Sequence, residues 1–323
     1  MDGTNETQES SQAAPVSKWY IFRHWWFVII ALVAIAELSL LAWQSKATMH
    51  PEDWKQLGEA LEEQIQESDL VVTAPSWIDP IARMNLGDTV MTVKRLARAD
   101  ESRFERAFEV SLGRSRSDDV RGWSVKSEQK FGQLWLRELV NPAPRPVIDD
   151  LVTRMNPSDA VLAVRQGTRD QACPWGHYPL ATGNLGFGPA IPAHRANCIT
   201  GQWVGVTINA DTRYRPRRCI IAPPGAGRDV LQIHFVSIQF GKAIVGHHGL
   251  YVEAERDEKG SPVTIAFTTR ERPLGSATHA DGEGWTEFEI ATPDLAGTKG
   301  PLDVAISCDN AHRRMYCFEA TTR

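Results

Sequence analysis

The segment Val230-Leu-Gln-Ile-His-Phe-Val-Ser-Ile-Gln-Phe240 has the pattern of a β-strand with one buried face and one solvated face. Ile233 and Phe235 are apolar and two residues apart, whereas Gln232 and Gln239 are polar. Successive side chains of a strand point to opposite faces of the sheet. The alternation therefore predicts a strand that lies between an apolar core and solvent.

Short apolar segments of the same kind recur on both sides of this strand, separated by Gly, Pro, Asn and Asp. The further candidate strands are Val161–Val164, Trp203–Ile208, Cys219–Ala222, Ile244–Glu255, Val263–Thr269, Trp285–Ala291, Leu302–Ser307 and Tyr316–Ala320. Many short strands with few helical patterns are typical of an antiparallel sandwich or barrel. We expect residues 158–323 to form a β-sandwich domain.

The last third of the chain resembles a known class of modules. The segments G-W-T-E-F-E-I-A-T-P-D-L-A-G (284–297), L-D-V-A-I-S (302–307) and C-F-E-A (317–320) are similar to the closing strands of jelly-roll carbohydrate-binding modules and their discoidin-like relatives. The resemblance covers about residues 229–323. It implies an extracytoplasmic binding fold and names no ligand.

The segment before the sandwich, residues 48–157, predicts a small α/β domain. Trp54, Leu57 and Leu61 recur at helical spacing, Leu70–Val72 predicts a buried strand, and Asp79-Pro80 predicts the start of a helix. Further predicted elements are a helix from Asp100 through Phe104 and Phe108, a strand over Gln133–Val140 and a helix over Pro146–Met155. Together these elements predict an α+β chain of several domains.

Residues 51–76 resemble a second family. D-W-K (53–55), an amphipathic helix and S-D-L-V-V-T-A-P (68–75) are similar to the start of the extracytoplasmic α/β domain of polyprenyl-phosphate-sugar-dependent membrane glycosyltransferases. Those enzymes carry their catalytic acidic residues in loops between many transmembrane helices. This chain has no such loop, so the resemblance implies a companion module and transfers no catalytic residue.

The apolar run Trp25–Trp43 predicts a membrane anchor. Its nineteen residues are apolar apart from Glu37 and Ser39, and a helix of this length spans about 28 Å, close to the thickness of a bilayer core. The run is longer than the apolar part of a signal peptide, which favours an uncleaved transmembrane helix over residues 24–44. We expect a disordered cytoplasmic tail over residues 1–23 and an extracytoplasmic, periplasmic body.

Glu37 is the unusual residue of this run. A carboxylate in the middle of a bilayer costs at least about 2.5 kcal/mol. It is therefore either a tolerated neutral side chain or a contact with an integral membrane partner.

Composition limits the partners and the compartment. A net charge of −5 and a pI near 6.0 argue against nucleic acid as a ligand. Two disulfides, Cys173–Cys198 and Cys308–Cys317, are candidates in an oxidising compartment, and the fifth cysteine is Cys219. The alternative is five buried thiols in a cytosolic domain.

Two groups of residues could bind a ligand. Trp175, His177 and Tyr178 could stack on a glycan, or they could fix their loop to the core. Arg215 and Arg217 could bind a phosphate or an acidic sugar through their guanidinium groups, or they could lie in a solvated loop.

Catalytic and metal-binding groups are weaker candidates. Ser76 follows a predicted strand, with Asp79, Arg83 and Asp88 nearby in sequence, as in a strand-end active site; the alternative is a helix N-cap with neighbouring ion pairs. His247, His279 and Asp281 could bind a metal, but they are also typical of surface and turn residues. No pattern indicates a cofactor.

The favoured interpretation is a non-catalytic, membrane-anchored accessory protein that binds glycan or protein beside a membrane enzyme of surface-glycan metabolism. The alternative is a membrane-anchored hydrolase or transferase that uses Ser76, Asp79 and Arg83.

Overall fold

The structure is a computed structural model. It describes residues 19–47, 49–92, 95, 97–181, 189–225, 227, 229–257 and 259–323, and for residues 19–24 and 42–47 it describes the backbone only. The chain divides into two units, residues 1–50 and residues 51–323.

The first unit contains one helix, α1, over Trp19–Ala47. Every side chain described within it, over residues 25–41, is exposed. Among the described residues, no helix is both long enough and apolar enough to cross a membrane. Residues 1–18 of the predicted tail, and the side chains at both ends of the predicted span, lie outside the described part.

The second unit begins with two helices and a four-stranded sheet. Helix α2 (Pro51–Glu62) buries Trp54, Leu57 and Leu61, as its spacing predicts, and α3 covers Asp79–Val90. The strands are β1 (Leu70–Ala74), β2 (Arg106–Leu112), β3 (Ser124–Phe131) and β4 (Leu134–Val140). They are arranged in the order β1-β2-β4-β3, with β1 and β2 parallel.

Of the two further helices predicted in this region, the first is a strand and the second is shorter than expected. Phe108 lies in β2, opposite Val71 of β1 and Glu138 of β4. This segment forms a strand because it pairs with a strand on each side and both of its faces are buried. The helix predicted over Pro146–Met155 is limited to one turn, Leu151–Arg154, because Asp149–Asp150 pair with the last strand of the chain.

The remainder of the chain is a β-sandwich, which confirms the predicted architecture of this part. Its strands are β5 (Asp149–Asp150), β6 (Ala160–Gln166), β7 (Arg169–Ala172), β8 (Trp175–His177), β9 (His194–Asn197), β10 (Trp203–Ala210), β11 (Pro216–Ile221), β12 (Val230–Gln239), β13 (Ala243–Leu250), β14 (Val263–Thr269), β15 (Arg272–His279), β16 (Thr286–Ala291), β17 (Lys299–Ser307) and β18 (Tyr316–Thr322). A one-turn helix, Val252–Glu255, follows β13.

These strands form two antiparallel sheets. The larger sheet has the order β16-β13-β18-β11-β10-β9-β8, with β5 beside β18, and the smaller sheet has the order β15-β14-β17-β12-β6-β7. The core lies between them: Leu231, Ile233 and Phe235 of β12 pack in one cluster with Tyr316 and Phe318 of β18. The alternation of β12 thus buries one face, as predicted.

The cysteines differ in part from the prediction. Cys173 and Cys198 form the predicted disulfide, with Cα atoms 4.2 Å apart. The predicted Cys308–Cys317 bridge is wrong, because Cys317 is bonded to Cys219 and Cys308 is a buried free thiol. Cys308 follows β17 in the smaller sheet, whereas Cys219 and Cys317 lie in the neighbouring strands β11 and β18 of the larger sheet.

Ion pairs and hydrogen bonds join the outer face of the larger sheet to the segment before β2. Trp285 donates from Nε1 to the carbonyl of Ala99 at 2.8 Å, and Arg323 pairs with Asp100. These contacts explain why residues 51–323 form one compact unit. The predicted domain boundary near residue 157 lies inside that unit and stays a prediction.

Candidate functional site

The predicted aromatic loop offers less free ring surface than its composition suggests. Trp175 packs against the sandwich core and donates from Nε1 to the carbonyl of Ala160 at 2.9 Å. The guanidinium carbon of Arg195 lies 4.6 Å from the centre of the Tyr178 ring. His177 is exposed and contacts His194, with ring centres 4.6 Å apart. Trp175 therefore holds the loop to the core, which was the alternative interpretation.

Arg215 and Arg217 are engaged by carboxylates of the protein, and their role as ligand-binding residues stays a prediction. Arg215 pairs with Asp119. Arg217 bonds to Asp211 at 3.0 Å and to Glu101 at 2.9 Å. Burial lowers and the two carboxylates raise the pKa of Arg217, with a net upward shift. These two carboxylates occupy hydrogen-bond donors of the guanidinium that the prediction assigns to a ligand.

The three residues predicted as metal ligands do not share a site. His247 bonds through Nδ1 to Glu319 at 2.8 Å on the outer face of the larger sheet. His279 is buried and bonds through Nε2 to Glu255 at 2.8 Å. Asp281 forms a two-fold ion pair with Arg314. Within the described ranges, no group of His, Cys, Asp or Glu could hold a metal ion.

An open groove of about 430 Å³ brings together residues that are distant in sequence. Asp79 and Arg83 come from α3, Asn209 from the end of β10, and Tyr214 and Tyr251 from the loops after β10 and β13. We call this feature the tyrosine groove. Its remaining lining residues are Pro80, Pro189, Ile208, Ala210 and Pro216.

Tyr214 is presented on a rigid turn of the tyrosine groove. Its backbone has a φ of 58°, a conformation that costs free energy for a bulky residue. Asp211 holds the turn: its carbonyl accepts from the amide of Tyr214 at 2.8 Å, and its Oδ1 accepts from the amide of Arg215 at 2.9 Å. The Tyr214 side chain remains 62% exposed, with Arg256 against the ring.

Asn209 supplies an unused hydrogen-bond acceptor. The residue is only 1% exposed, and its Nδ2 donates to the carbonyl of Leu250 at 3.3 Å. Its Oδ1 is buried and has no partner among the residues that the structure describes. Buried polar atoms are nearly always hydrogen-bonded, so an unsatisfied one on a residue that lines a groove indicates a place for a ligand or an ordered water.

Ser76, Asp79 and Arg83 share a smaller cavity of about 60 Å³ next to the tyrosine groove. Arg83 Nη2 lies 2.6 Å from Asp79 Oδ2, so the charge of the carboxylate is balanced by the guanidinium. Nε of Arg83 is buried without a partner within the described ranges. Asp88 is exposed and does not line this cavity. Among the described residues that line it, there is no histidine to activate Ser76. The arrangement suits binding of polar groups better than nucleophilic attack.

Sequence reasoning missed Asn209, Tyr214 and Tyr251 as site residues. The pattern Asp211-Thr-Arg-Tyr214 is a turn signal, because Asp commonly accepts hydrogen bonds from amides two to four residues onward. That signal predicts the turn. The position of α3 beside it comes only from the tertiary structure.

Comparisons with known proteins provide no family for the chain. No protein-family model and no curated protein matches it, and the glycosyltransferase resemblance is therefore unsupported. Among solved structures, it is similar to the CBM51-2 and INT domains of Clostridium perfringens ZmpB, with 8% identity, 50% of this chain and 37% of that chain covered, and a TM-score of 0.25.

A structure of the same ZmpB modules in complex with GlcNAc matches at 7% identity, with 65% of this chain and 45% of that chain covered, and a TM-score of 0.26. A structure of TmCBM61 in complex with β-1,4-galactotriose matches at 12% identity over 39% of this chain and 70% of that one, with a TM-score of 0.19. The chain thus spans less than half the length of the ZmpB structures. These TM-scores are too low to establish a shared fold.

Proposed function

We propose that this protein binds glycans and that the tyrosine groove is its binding site. The observation that carries the proposal is the buried, unpartnered Oδ1 of Asn209 in a groove that Tyr214 and Tyr251 also line. Ligand sites combine apolar and aromatic surface with a few fixed polar groups. A sugar ring offers the complementary pair, because its C–H face packs on an aromatic ring and its hydroxyls donate to oxygen.

Each polar group of the groove has a role in this proposal. A sugar hydroxyl donates to Asn209 Oδ1 and so satisfies a buried acceptor. Neighbouring hydroxyls accept from Arg83 and donate to Asp79, whose mutual ion pair at 2.6 Å keeps both side chains in place. Tyr214 supplies the stacking surface, and the Asp211 turn fixes its position before the ligand arrives, which reduces the entropy lost on binding.

A glycan array probed with the full chain, followed by calorimetry on the glycans that bind, tests the proposal. Tyr214→Ala removes the stacking surface, and we expect it to weaken binding at least about tenfold, since aromatic contacts are among the largest single contributions to binding. Tyr178→Ala is the matched control, because Tyr178 also has an arginine against its ring but lies in the predicted aromatic loop.

The two variants distinguish the two sites. Unchanged binding by Tyr178→Ala together with loss in Tyr214→Ala supports the tyrosine groove. Loss in Tyr178→Ala alone would place the ligand in the aromatic loop and contradict the proposal. Binding to no glycan on the array would also overturn it.

We propose in addition that α1 attaches the protein to a membrane, with the body outside the cytoplasm and beside an enzyme of surface-glycan metabolism. The support is the run of residues 25–41, which is apolar apart from Glu37 and Ser39 and whose side chains are all exposed. Glu37 is the contact that we propose with an integral membrane protein. Retention of the chain in the membrane fraction after an alkaline wash is the expected result, and full release would contradict attachment. Glu37→Leu, with co-purification as the readout, tests the partner.

A further inference from the structure

A second cavity lies between the outer face of the larger sheet and the segment that precedes β2. It has a volume of about 570 Å³, within the range of small-molecule sites. Four arginines line it: Arg95, Arg98, Arg103 and Arg218. We call it the arginine cavity. It shares Arg98 with the small cavity beside the tyrosine groove but none of the groove's own lining residues.

Two of the four arginines are neutralised by the protein. Arg98 contacts Asp119 at 2.9 Å and Glu101 at 3.2 Å. Arg103 contacts Asp150 at 3.2 Å. Their charges hold chain segments together and leave little for a ligand.

Arg95 is buried without a carboxylate. It is only 8% exposed, and its guanidinium donates to the carbonyls of Val90 at 2.9 Å and Gln66 at 2.8 Å. Its Nε is buried and has no partner among the described residues. A buried guanidinium normally has an anionic partner, and here only neutral carbonyls contact it in the described part of the chain.

Arg218 is the second uncompensated charge. It is half-buried in β11, and its side chain makes no hydrogen bond or ion pair with the residues that the structure describes. Its neighbour Arg217 has two carboxylate partners. A free guanidinium at the wall of a cavity can donate two parallel hydrogen bonds to a carboxylate or phosphate.

Two of the three acidic lining residues, Asp150 and Glu319, already have partners within the protein. Asp150 is already paired with Arg103. Glu319 is fully buried and hydrogen-bonded to His247 at 2.8 Å, so its carboxyl group already has a partner within the protein, and burial raises its pKa. Glu67 is exposed to solvent.

We propose that the arginine cavity binds an acidic sugar: a ligand of monosaccharide size whose carboxylate or phosphate is held by Arg218 and Arg95. Charge-assisted hydrogen bonds to guanidinium provide the selectivity for an anion, and the cavity volume provides room for the attached ring. This site is independent of the tyrosine groove.

Calorimetry with the full chain and three probes tests the proposal: glucuronate, glucose 1-phosphate and neutral glucose. We expect at least one of the two anions to bind about tenfold or more tightly than glucose. Arg218→Gln should weaken that binding about tenfold, since hydrogen bonds to charged groups are the strong ones. Arg218→Lys keeps the charge but loses the fork, and should bind with intermediate affinity.

Arg165→Gln is the matched control, because it removes the same charge from an exposed ion pair in the smaller sheet. It should bind the anion as the wild type does. Tyr214→Ala should also leave anion binding unchanged, so the two proposed sites can fail separately. Equal affinity for glucose and both anions, or unchanged anion binding in a folded Arg218→Gln, would overturn the proposal.

Discussion

Tyr214 shows what single residues contribute to the candidate site. The turn that contains Tyr214 could be predicted from Asp211. Its role in ligand binding could not, because tyrosine is common in turns and does not by itself indicate a binding site. The structure adds two physical facts: Tyr214 has a left-handed backbone conformation that Asp211 stabilises, and the residue is 62% exposed. Asn209 was equally hidden in the sequence, since the lack of a partner for one side-chain oxygen is visible only after folding.

His248 predicts a pH dependence of stability at the same scale. Its side chain and that of His247 point to opposite faces of β13. His248 is 3% exposed, and its Nδ1 is hydrogen-bonded to the hydroxyl of Tyr316 at 2.8 Å. Burial, together with the nearby charges of His279 and His247, lowers its pKa from 6.5 to about 3. The folded state therefore resists protonation of this imidazole.

The sign follows from the two pKa values. The unfolded chain binds a proton at His248 near pH 6.5, whereas the folded chain does so only near pH 3, so stability is present above pH 6.5 and is lost as the pH falls toward 3. Between pH 7 and pH 5, protonation of His248 in the unfolded chain lowers the free energy of unfolding by about 2 kcal/mol. Urea unfolding should show a loss larger by that amount in the wild type than in His248→Gln. Equal losses of stability in the wild type and in His248→Gln would contradict this role of His248.

At the scale of elements, the apolar strands of the sandwich were predictable and the polar strands were not. All nine predicted strand segments overlap observed strands of the sandwich. By contrast, β3 reads Ser-Val-Lys-Ser-Glu-Gln-Lys-Phe and is mostly exposed at the edge of its sheet. Its strand conformation comes from pairing with β4, which leaves no hydrophobic pattern in the sequence. The short strands β7, β8 and β9 were missed for a similar reason.

Strand order also decides the second disulfide. Ile221 of β11 lies opposite Cys317 of β18, which brings Cys219 within reach on the same face, with Cα atoms 5.8 Å apart. Sequence spacing favoured Cys308, because it cannot show which strands become neighbours. Alkylation in denaturant without reductant, followed by peptide mapping, should label Cys308 and leave Cys219 linked to Cys317. A labelled Cys219 with a Cys308–Cys317 peptide would contradict the structure.

At the scale of the whole molecule, both candidate sites depend on the contact between the α/β segment and the sandwich. In the tyrosine groove, Asp79 comes from the α/β segment and Tyr251 from the sandwich. In the arginine cavity, Arg95 comes from the α/β segment and Arg218 from the sandwich. The sequence predicted both parts but gave no indication of the ion pairs that join them. The sites were hidden because they form where distant segments meet.

The crystal structure of the full chain with a glycan that binds on the array tests the central proposal most directly. We expect the sugar ring to pack on Tyr214 and one hydroxyl to donate to Asn209 Oδ1 at hydrogen-bonding distance. A sugar bound instead against His177 and Tyr178, with Asn209 Oδ1 satisfied by the protein or by water alone, would contradict the tyrosine groove as the glycan site.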